Sequence, residues 1–335
     1  MEATDVIPTL RFAVWKNPLA LATAGHRTFD GVDLSVSNWW NALGVAPLRS
    51  WADVEPWLSL AGGRIVVQAE FGHSGQTTWF ISSCSDYAPL ADVLAALRRL
   101  RISRYVSCDS LTVDACATRN GTVMGPLLHE FTGVPTLTPF KGGWCGNHFE
   151  SALFSREERV QAAKFVQRIG DSLTARGYRG CFGVDLLRHR ETGELLVTEV
   201  NGRFTGASPV TNYVSSACAG VPLVKFHFDE YRGLADPAEI AAFNAQLINA
   251  AIPESVTMLA IAAPACKVLG YLVMRGLPLG PTGDPHPIAQ SLAASLRGRF
   301  GWRSIEDFQV GEPEYAPDFD IRATQPDSRH GAILR

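Results

Sequence analysis

Apolar positions along this chain change period several times, and the changes mark out its elements. Residues 64–68 form an apolar β-branched run and 79–82 a second. Between them stands Gly-His-Ser-Gly-Gln-Thr-Thr at 72–78, so the pattern predicts a hairpin with a glycine-rich tip. Over 89–100, Leu90, Val93, Leu94, Leu97 and Leu100 recur at helical spacing, and Arg98, Arg99 and Arg101 fall where cations suit a helix C-terminus. Strand-like runs follow at 105–106, 111–117 and 122–128, the last two joined by the turn signal Arg119-Asn120-Gly121. Residues 132–147, rich in Gly, Pro and Thr, read as a long loop.

The clearest helix starts at Ser155. Glu158 completes a capping box, Val160, Ala163, Val166, Ile169 and Leu173 form the stripe, and Gly177 stands where the helix should end. Strands are predicted at 181–188 and 194–201 around Glu191-Thr192-Gly193. Asp236-Pro237 opens another helix, with Asp as cap and Pro in the first turn. The run 258–274 reads as buried, 288–296 as helical, and the chain after Pro313 as a polar tail. Residues 1 to about 55 are irregular in pattern, apart from a strand signal at 10–15 and a short helix signal at 37–43. No internal repeat is present.

The chain has 335 residues, 46% hydrophobic and 19% charged, which fits an ordinary globular protein of two or three packed units and excludes wholesale disorder. A net charge of −3 offers no basic field for a polyphosphate backbone, so a dedicated nucleic-acid binder is not expected. Of the 30 basic residues only five are lysines (Lys16, Lys141, Lys164, Lys225, Lys267), so any function requiring a lysine has few places to find one. No apolar stretch is long enough for a membrane span, and the first ten residues lack the basic start of a signal peptide. The seven cysteines are never spaced Cys-x-x-Cys. A disulfide scaffold and a zinc site are therefore not expected, and a cytoplasmic location is.

Chemistry concentrates in the hairpin 181–203. A loop over 191–193 with Gly193 left-handed pairs Arg190 with Glu194 and places Asp185 directly opposite Glu199. Period 2 then sets Asn201 and Arg203 beside Glu199. Two opposed carboxylates call for a cation between them. With an amide carbonyl they make a hard oxygen set suited to Mg²⁺, and Arg203 offers a fork for phosphate or carboxylate. A solvated hairpin face with Glu and Arg paired to each other is the competing reading. Residues 72–78 offer backbone N–H groups for a phosphate nest, or a plain mobile turn. There is no P-loop and no Gly-x-Gly-x-x-Gly after a strand. His129 and Glu130 read as structural. Residues 141–147, Lys-Gly-Gly-Trp-Cys-Gly-Asn, suit either a substrate loop or an ordinary connection.

In their order, these parts resemble ATP-grasp enzymes. The stretch 66–78, Val-Val-Gln-Ala-Glu-Phe-Gly-His-Ser-Gly-Gln-Thr-Thr, is similar to the lid hairpin, and Ser-Arg-Tyr-Val at 103–106 to the interdomain hinge. Gly-Val-Asp-Leu-Leu at 183–187, followed by Val-Thr-Glu-Val-Asn-Gly-Arg at 197–203, is similar to the metal signature of an acid and then Glu-x-Asn-x-Arg. The resemblance covers roughly residues 40–230. Within the superfamily, the Gln68 strand and the loop ending at Asn147 look closest to peptide ligases of natural-product pathways. It implies Mg²⁺ ligands at Asp185, Glu199 and Asn201, with Arg203 and Asn201 catalytic. It further implies nucleotide contacts from Gln68, Gly72, His73, Ser74, Gly75, Thr77 and Thr78, and adenine held along Ser103, Arg104, Tyr105 and Val106. Two departures stand out. Gln68 occupies the place of the lid lysine, and no lysine lies near 34–37. Arg98, Arg99, Arg101 and Arg104 are candidates to compensate, with a solvated helix end as the competing reading of that run.

The resemblance thus implies an α+β ATP-grasp fold, two α/β subdomains sandwiching the nucleotide around an antiparallel core sheet. Expected divisions are an N-terminal remnant at 1–54, in place of the family's N-terminal domain, a lid subdomain at 55–102, a core with the metal site at 103–254, and an extension at 255–335. The expected activity is an ADP-forming carboxylate–amine ligase using ATP and Mg²⁺ on small-molecule carboxylate and amine substrates. No nucleic acid or membrane partner is expected, while a homodimer or companion subunit is compatible with the sequence. An accessory subunit that binds nucleotide or a partner without turnover is the competing expectation. Specificity is expected in the loops 132–147 and 205–213.

Overall fold

The computed structural model describes residues 28–29, 32–33, 42–69, 75, 77–262 and 268–299. β1 (Thr28–Phe29) and β2 (Val32–Asp33) make a short antiparallel pair. The sequence signals at 10–15 and 37–41 and the polar tail after Pro313 lie outside the described residues.

Four strands form the first large sheet, in the order β3-β6-β4-β5. They are β3 (Ala42–Ala46), β4 (Ile65–Ala69), β5 (Thr78–Ile81) and β6 (Leu100–Arg104), all antiparallel. The predicted hairpin is β4–β5, with Gln68 opposite Thr78. Ile65, Val67, Ile81, Leu100 and Ile102 bury against Val54 and Leu58 of α1 (Trp51–Ala61), Tyr87 of α2 (Cys84–Tyr87) and Leu94 of α3 (Ala91–Ala96). α1 begins on a capping box, Ser50 with Asp53, inside a region whose pattern reads as irregular. Ala42 and Leu43, at the end of the expected short helix, belong to β3 instead.

The expected helix over 89–100 stops at Ala96, because Leu97 is extended (ψ 124°) and leads into β6. Leucines at helical spacing reach the same core here by two routes, since Leu94 packs from a helix and Leu100 from a strand. Arg98, Arg99 and Arg101 therefore do not share a helix end. Tyr105 and Val106, expected in a strand, follow β6 as a connection.

The second sheet has eight strands in the order β12-β11-β7-β9-β10-β13-β14, with β8 paired to β7. These are β7 (Cys108–Thr118), β8 (Gly121–Met124), β9 (Leu128–Thr132), β10 (Trp144–Phe149), β11 (Gly180–His189), β12 (Leu195–Asn201), β13 (Val256–Ala262) and β14 (Val268–Arg275). The run 122–128 is thus two strands, broken where the Gly125 amide donates to the Asp114 carbonyl oxygen at 2.8 Å. The long loop shortens to 133–143, since Trp144 onward is β10. Within the run 258–274 the described residues form the antiparallel pair β13–β14; Met258, Leu259, Ala260 and Ile261 of β13 are buried, whereas Tyr271 and Val273 of β14 are exposed.

α4 (Arg156–Ala175) has the predicted Ser155–Glu158 capping box, and it covers one face with Val166, Ile169 and Leu173 against Phe182, Val184, Leu186, Val197 and Val200. α5 (Ser208–Ala219), α6 (Val224–Arg232) and α7 (Pro237–Ile248) cover the other, through Val210, Val214, Phe226 and Phe243. α7 carries the expected Asp236 cap, whose carboxylate accepts from the Ala238 amide at 3.0 Å. α5 takes up most of the expected 205–213 loop, leaving Thr205 to Ala207 outside the helix. α8 (Pro287–Arg299) buries Ala289 and Ala293 against Phe131, Leu259 and Ile261. No helix among the described residues is long and apolar enough to cross a membrane.

Candidate active site

β11 and β12 carry the site because their two faces have different jobs. Phe182, Val184 and Leu186 of β11 point into the α4 core, which leaves Gly183 and Asp185 on the opposite face. Asp185 pairs directly with Glu199, as the sequence predicts, but through a different register. The turn closes on His189, whose amide donates to the Glu194 carbonyl oxygen at 2.9 Å, so Arg190 does not pair with Glu194. Leu187 then pairs with Leu196 and Leu186 with Val197, one residue out of the expected ladder. A bulge at Thr198 restores the pairing. It also solves a face problem. Leu195, Val197 and Val200 all reach the α4 core, which strict alternation forbids, and Glu199 is freed to the other side. Thr198 holds the bulge from both ends: its hydroxyl donates to the Asp185 carbonyl oxygen at 3.1 Å, and its own carbonyl oxygen accepts from Arg101 Nη1 at 3.2 Å.

Around Asp185 the polar atoms are tightly knit. Asp185 accepts from Thr112 Oγ1 on one oxygen and from Asn201 Nδ2 on the other, both at 2.9 Å. Arg203 Nη2 donates to Asn201 Oδ1 at 3.0 Å, which brings the guanidinium to the carboxylates. Behind them Thr205 Oγ1 donates to Asp114 at 2.7 Å. Burial pushes the Asp114 carboxyl up to about 6, against the hydrogen bonds that it accepts.

Opposite this face lies the four-stranded sheet. Gln68 Nε2 donates to Thr78 Oγ1 at 3.2 Å, and the Gln68 side-chain carbonyl oxygen accepts from Arg101, its neighbour on β6. Burial lowers Arg101 to about 10, while the charge of Glu199 pulls the other way. The two sheets enclose a cleft of about 680 Å³. From the first sheet Gln68, Gly75, Thr77 and Thr78 line it, with Ser103, Arg104, Tyr105 and Val106 along its edge. From the second come Asp185, Glu199, Asn201 and Arg203. Gly72, His73 and Ser74 lie outside the described residues. Gly75 has φ +74°, and a Cβ there would stand 2.3 Å from the Gly142 carbonyl carbon, so glycine is what lets the hairpin tip rest on the 133–143 segment.

Three further cleft residues carry a different or only an alternative role in the sequence reading. Glu130 reads as structural beside His129, yet β9 sends the two to opposite faces. His129 bonds the Gly283 carbonyl oxygen, whereas Glu130 lines the cleft. Desolvation, then the charges of Asp185, Glu199 and Asp114, raises the Glu130 carboxyl well above its ordinary range. The signal was an acid among Leu128, Phe131 and Thr132, legible only once 128–132 is known to be a strand. Arg101, named with Arg98, Arg99 and Arg104 as a substitute for the lid lysine but expected at a helix end, reaches the cleft from β6. Lys141, from the Gly-rich segment, also lines the cleft, whereas Arg98 and Arg99 do not.

No protein-family model matches the chain, and no curated protein matches it. Solved structures do. An N5-carboxyaminoimidazole ribonucleotide synthetase in its ADP complex superposes with a TM-score of 0.57 at 12% identity, covering 85% of this chain and 71% of that one. The carboxyaminoimidazole ribonucleotide synthase of Aspergillus clavatus, complexed with ATP, gives 0.54 at 14% identity over 75% of this chain and 58% of that one. Pyruvate carboxylase of Rhizobium etli gives 0.53 at 16% identity, covering 78% of this chain and 22% of that one. The chain thus spans less than two thirds of the Aspergillus enzyme it resembles. At these identities the likeness establishes the fold, which is the α+β ATP-grasp fold with antiparallel sheets.

Proposed function

We propose that this ATP-grasp fold works as an ADP-forming carboxylate–amine ligase, making an amide or peptide bond through an acyl phosphate. Its substrate would be amino-acid-like, in specialised metabolism, as in the natural-product peptide ligases that its motifs resemble. One observation carries the reading. Asp185, Glu199 and Asn201, with Arg203 beside them, face Gln68, Thr78 and Arg101 across a single cleft. Two of the similar structures are complexes with ATP and with ADP, which supports a nucleotide in that cleft.

The donor set fits Mg²⁺: two carboxylates and an amide carbonyl are hard oxygens, and the opposed acids need a cation. Asp185, Glu199 and Asn201 would hold it, and when bound it supplies charge neutralisation at the transferring phosphates. The chain's own residues do the rest. Arg203 forks onto the carboxylate being activated, and Arg101 supplies from β6 the positive charge that Gln68 lacks. The backbone around Ser103–Val106 holds the base. Gly75, seated on Gly142, keeps water from an acyl phosphate that hydrolysis would waste. Such transfers depend on positioning and electrostatics more than on covalent chemistry by the protein. In this scheme 55–102 acts as the lid and 103–254 as the core.

A second reading, a non-catalytic nucleotide-binding accessory subunit, is favoured by Gln68 being tied to Arg101 where the resemblance expects a free lysine. One experiment separates the two. The isolated chain is incubated with ATP, Mg²⁺ and a panel of carboxylates and amines, and ADP and amide are measured together. Turnover by the isolated chain, lost in Glu199→Ala, supports the ligase. Nucleotide binding without ADP under every pairing supports the accessory subunit.

A further inference from the structure

A second cluster lies farther back along β11, on the same face as Asp185. Cys181 pairs with Cys116 of β7. The Cys181 amide donates to His227 Nδ1 of α6 at 3.1 Å, away from β7, whereas the Val184 carbonyl oxygen accepts from Thr112 of β7. Backbone groups alternate direction along a strand, so Cys181 and Cys116 form a pair without mutual ladder bonds, the kind whose side chains approach most closely. The two sulfurs and a His227 ring nitrogen lie within 4.8 Å of one another. Both cysteines are buried, at 0% and 3% exposure, and His227 is half-buried. Room for the ring comes from Gly180, where a Cβ would stand 2.7 Å from His227 Nδ1. Tyr231 and Phe204 hold the imidazole, with ring centroids at 5.0 and 5.1 Å.

We propose that Cys116, Cys181 and His227 form a binding site for a thiophilic cation of the Zn²⁺/Cu⁺ class. Two sulfurs and an imidazole are soft-to-borderline donors, unlike the hard oxygens around Asp185, so the two sites select different ions. Nδ1 accepts a hydrogen bond from the Cys181 amide, and a metal bound through that nitrogen would take the same lone pair, exchanging the hydrogen bond for the metal–nitrogen bond. Loading by Zn²⁺ needs no oxidant: each thiol loses its proton to solvent, two metal–sulfur bonds form, and the charge balances. Three protein donors leave one tetrahedral position for water, or complete a trigonal Cu⁺ site. The half-buried imidazole edge is the way in. A bound cation would tie α6 to β7 and β11. Through the His227–Phe204 contact it would also steady the segment that carries Arg203. No Cys-x-x-Cys spacing announces the site, because its donors come from three elements.

The test uses the full chain, reduced and freed of metal, and requires nothing of the nucleotide cleft. Zn²⁺ is titrated against a chromophoric chelator, with Co²⁺ as spectroscopic probe and Cu⁺ in a parallel competition. We expect one equivalent bound, about two protons released in weak buffer for Zn²⁺, and a thiolate-to-cobalt charge-transfer band. Cys181→Ser and His227→Gln should each weaken binding by on the order of 100-fold or more. Zn²⁺ should raise the melting temperature of the parent chain but not of His227→Gln, which keeps both thiols and whose circular dichroism reports its fold. A reduced chain that binds neither cation overturns the proposal, and so does affinity unchanged in both variants. A chain that only forms a Cys116–Cys181 disulfide in air, with no metal bound when reduced, overturns it as well.

Discussion

Asp185 and Asn201 are joined across the β11–β12 ladder by a 2.9 Å hydrogen bond, from the Asn201 amide to Asp185 Oδ2. With Thr198 in the strand, that contact and the facing of Glu199 with Asp185 depend on the bulge there. Thr198→Val keeps the bulge but loses the hydroxyl bond to the Asp185 carbonyl oxygen. We expect it to cost about 1 kcal/mol in urea denaturation, with the slope unchanged. Deleting Thr198 removes the extra residue, so plain alternation should keep Glu199 and Asn201 on the cleft face, and nucleotide binding read by calorimetry should survive the loss of the bulge.

In the proposed function, Arg101 supplies the charge that a lid lysine would bring. Gln68→Lys would set an ammonium against the buried guanidinium bonded to Gln68. We expect a loss of about 2 kcal/mol in stability rather than a gain in nucleotide affinity. Adding Arg101→Met to Gln68→Lys should recover most of that stability. A single Gln68→Lys that is both more stable and tighter for ATP contradicts this account.

Gly75→Ala combines a positive φ with overlap on the Gly142 backbone. The hairpin tip should lift off the 133–143 segment. We expect faster limited proteolysis between β4 and β5 and a higher KM for ATP, while the thermal transition of the second sheet stays in place.

His129 tests the pH dependence. Its Nε2 bonds the Gly283 carbonyl oxygen at 2.9 Å, and burial draws its pKa down to about 4. The folded value lies below the unfolded one, so the fold favours the neutral ring. That contribution is full above pH 6.5 and is lost as pH falls toward 4. Asp114, raised to about 6 by burial, acts in the opposite sense, losing its contribution as pH rises through 6. The difference between parent and His129→Gln isolates the histidine. We expect the parent to lose up to about 3 kcal/mol relative to the variant between pH 6.5 and 4.

Much of the second sheet's site was legible in the sequence, because hairpin chemistry is local. Gly193, with φ +71°, marks the turn, and alternation brings Asp185 and Glu199 near each other. The bulge was not legible. A residue inserted at Thr198 leaves no local signature, and the expected pairing of Asp185 with Glu199 was reached through a register wrong at the turn. Ser155 and Asp236 gave their helices away through side-chain caps, whereas α5 has no capping side chain to announce it. Glu130 reads as structural and Arg101 as part of a helix end for a different reason. Each reaches the cleft from a strand whose identity is set by its neighbours in the sheet, and leucine spacing at 89–100 fits a helix equally well.

Mg²⁺-dependent ATP binding tests the central claim most directly. Isothermal titration calorimetry on the full chain, with and without Mg²⁺, should show one nucleotide bound. We expect binding to weaken by at least about tenfold without the metal, and Glu199→Gln to bind equally weakly in both conditions. A chain that binds no nucleotide, or binds ATP equally well without Mg²⁺ and with Glu199→Gln, would contradict the account.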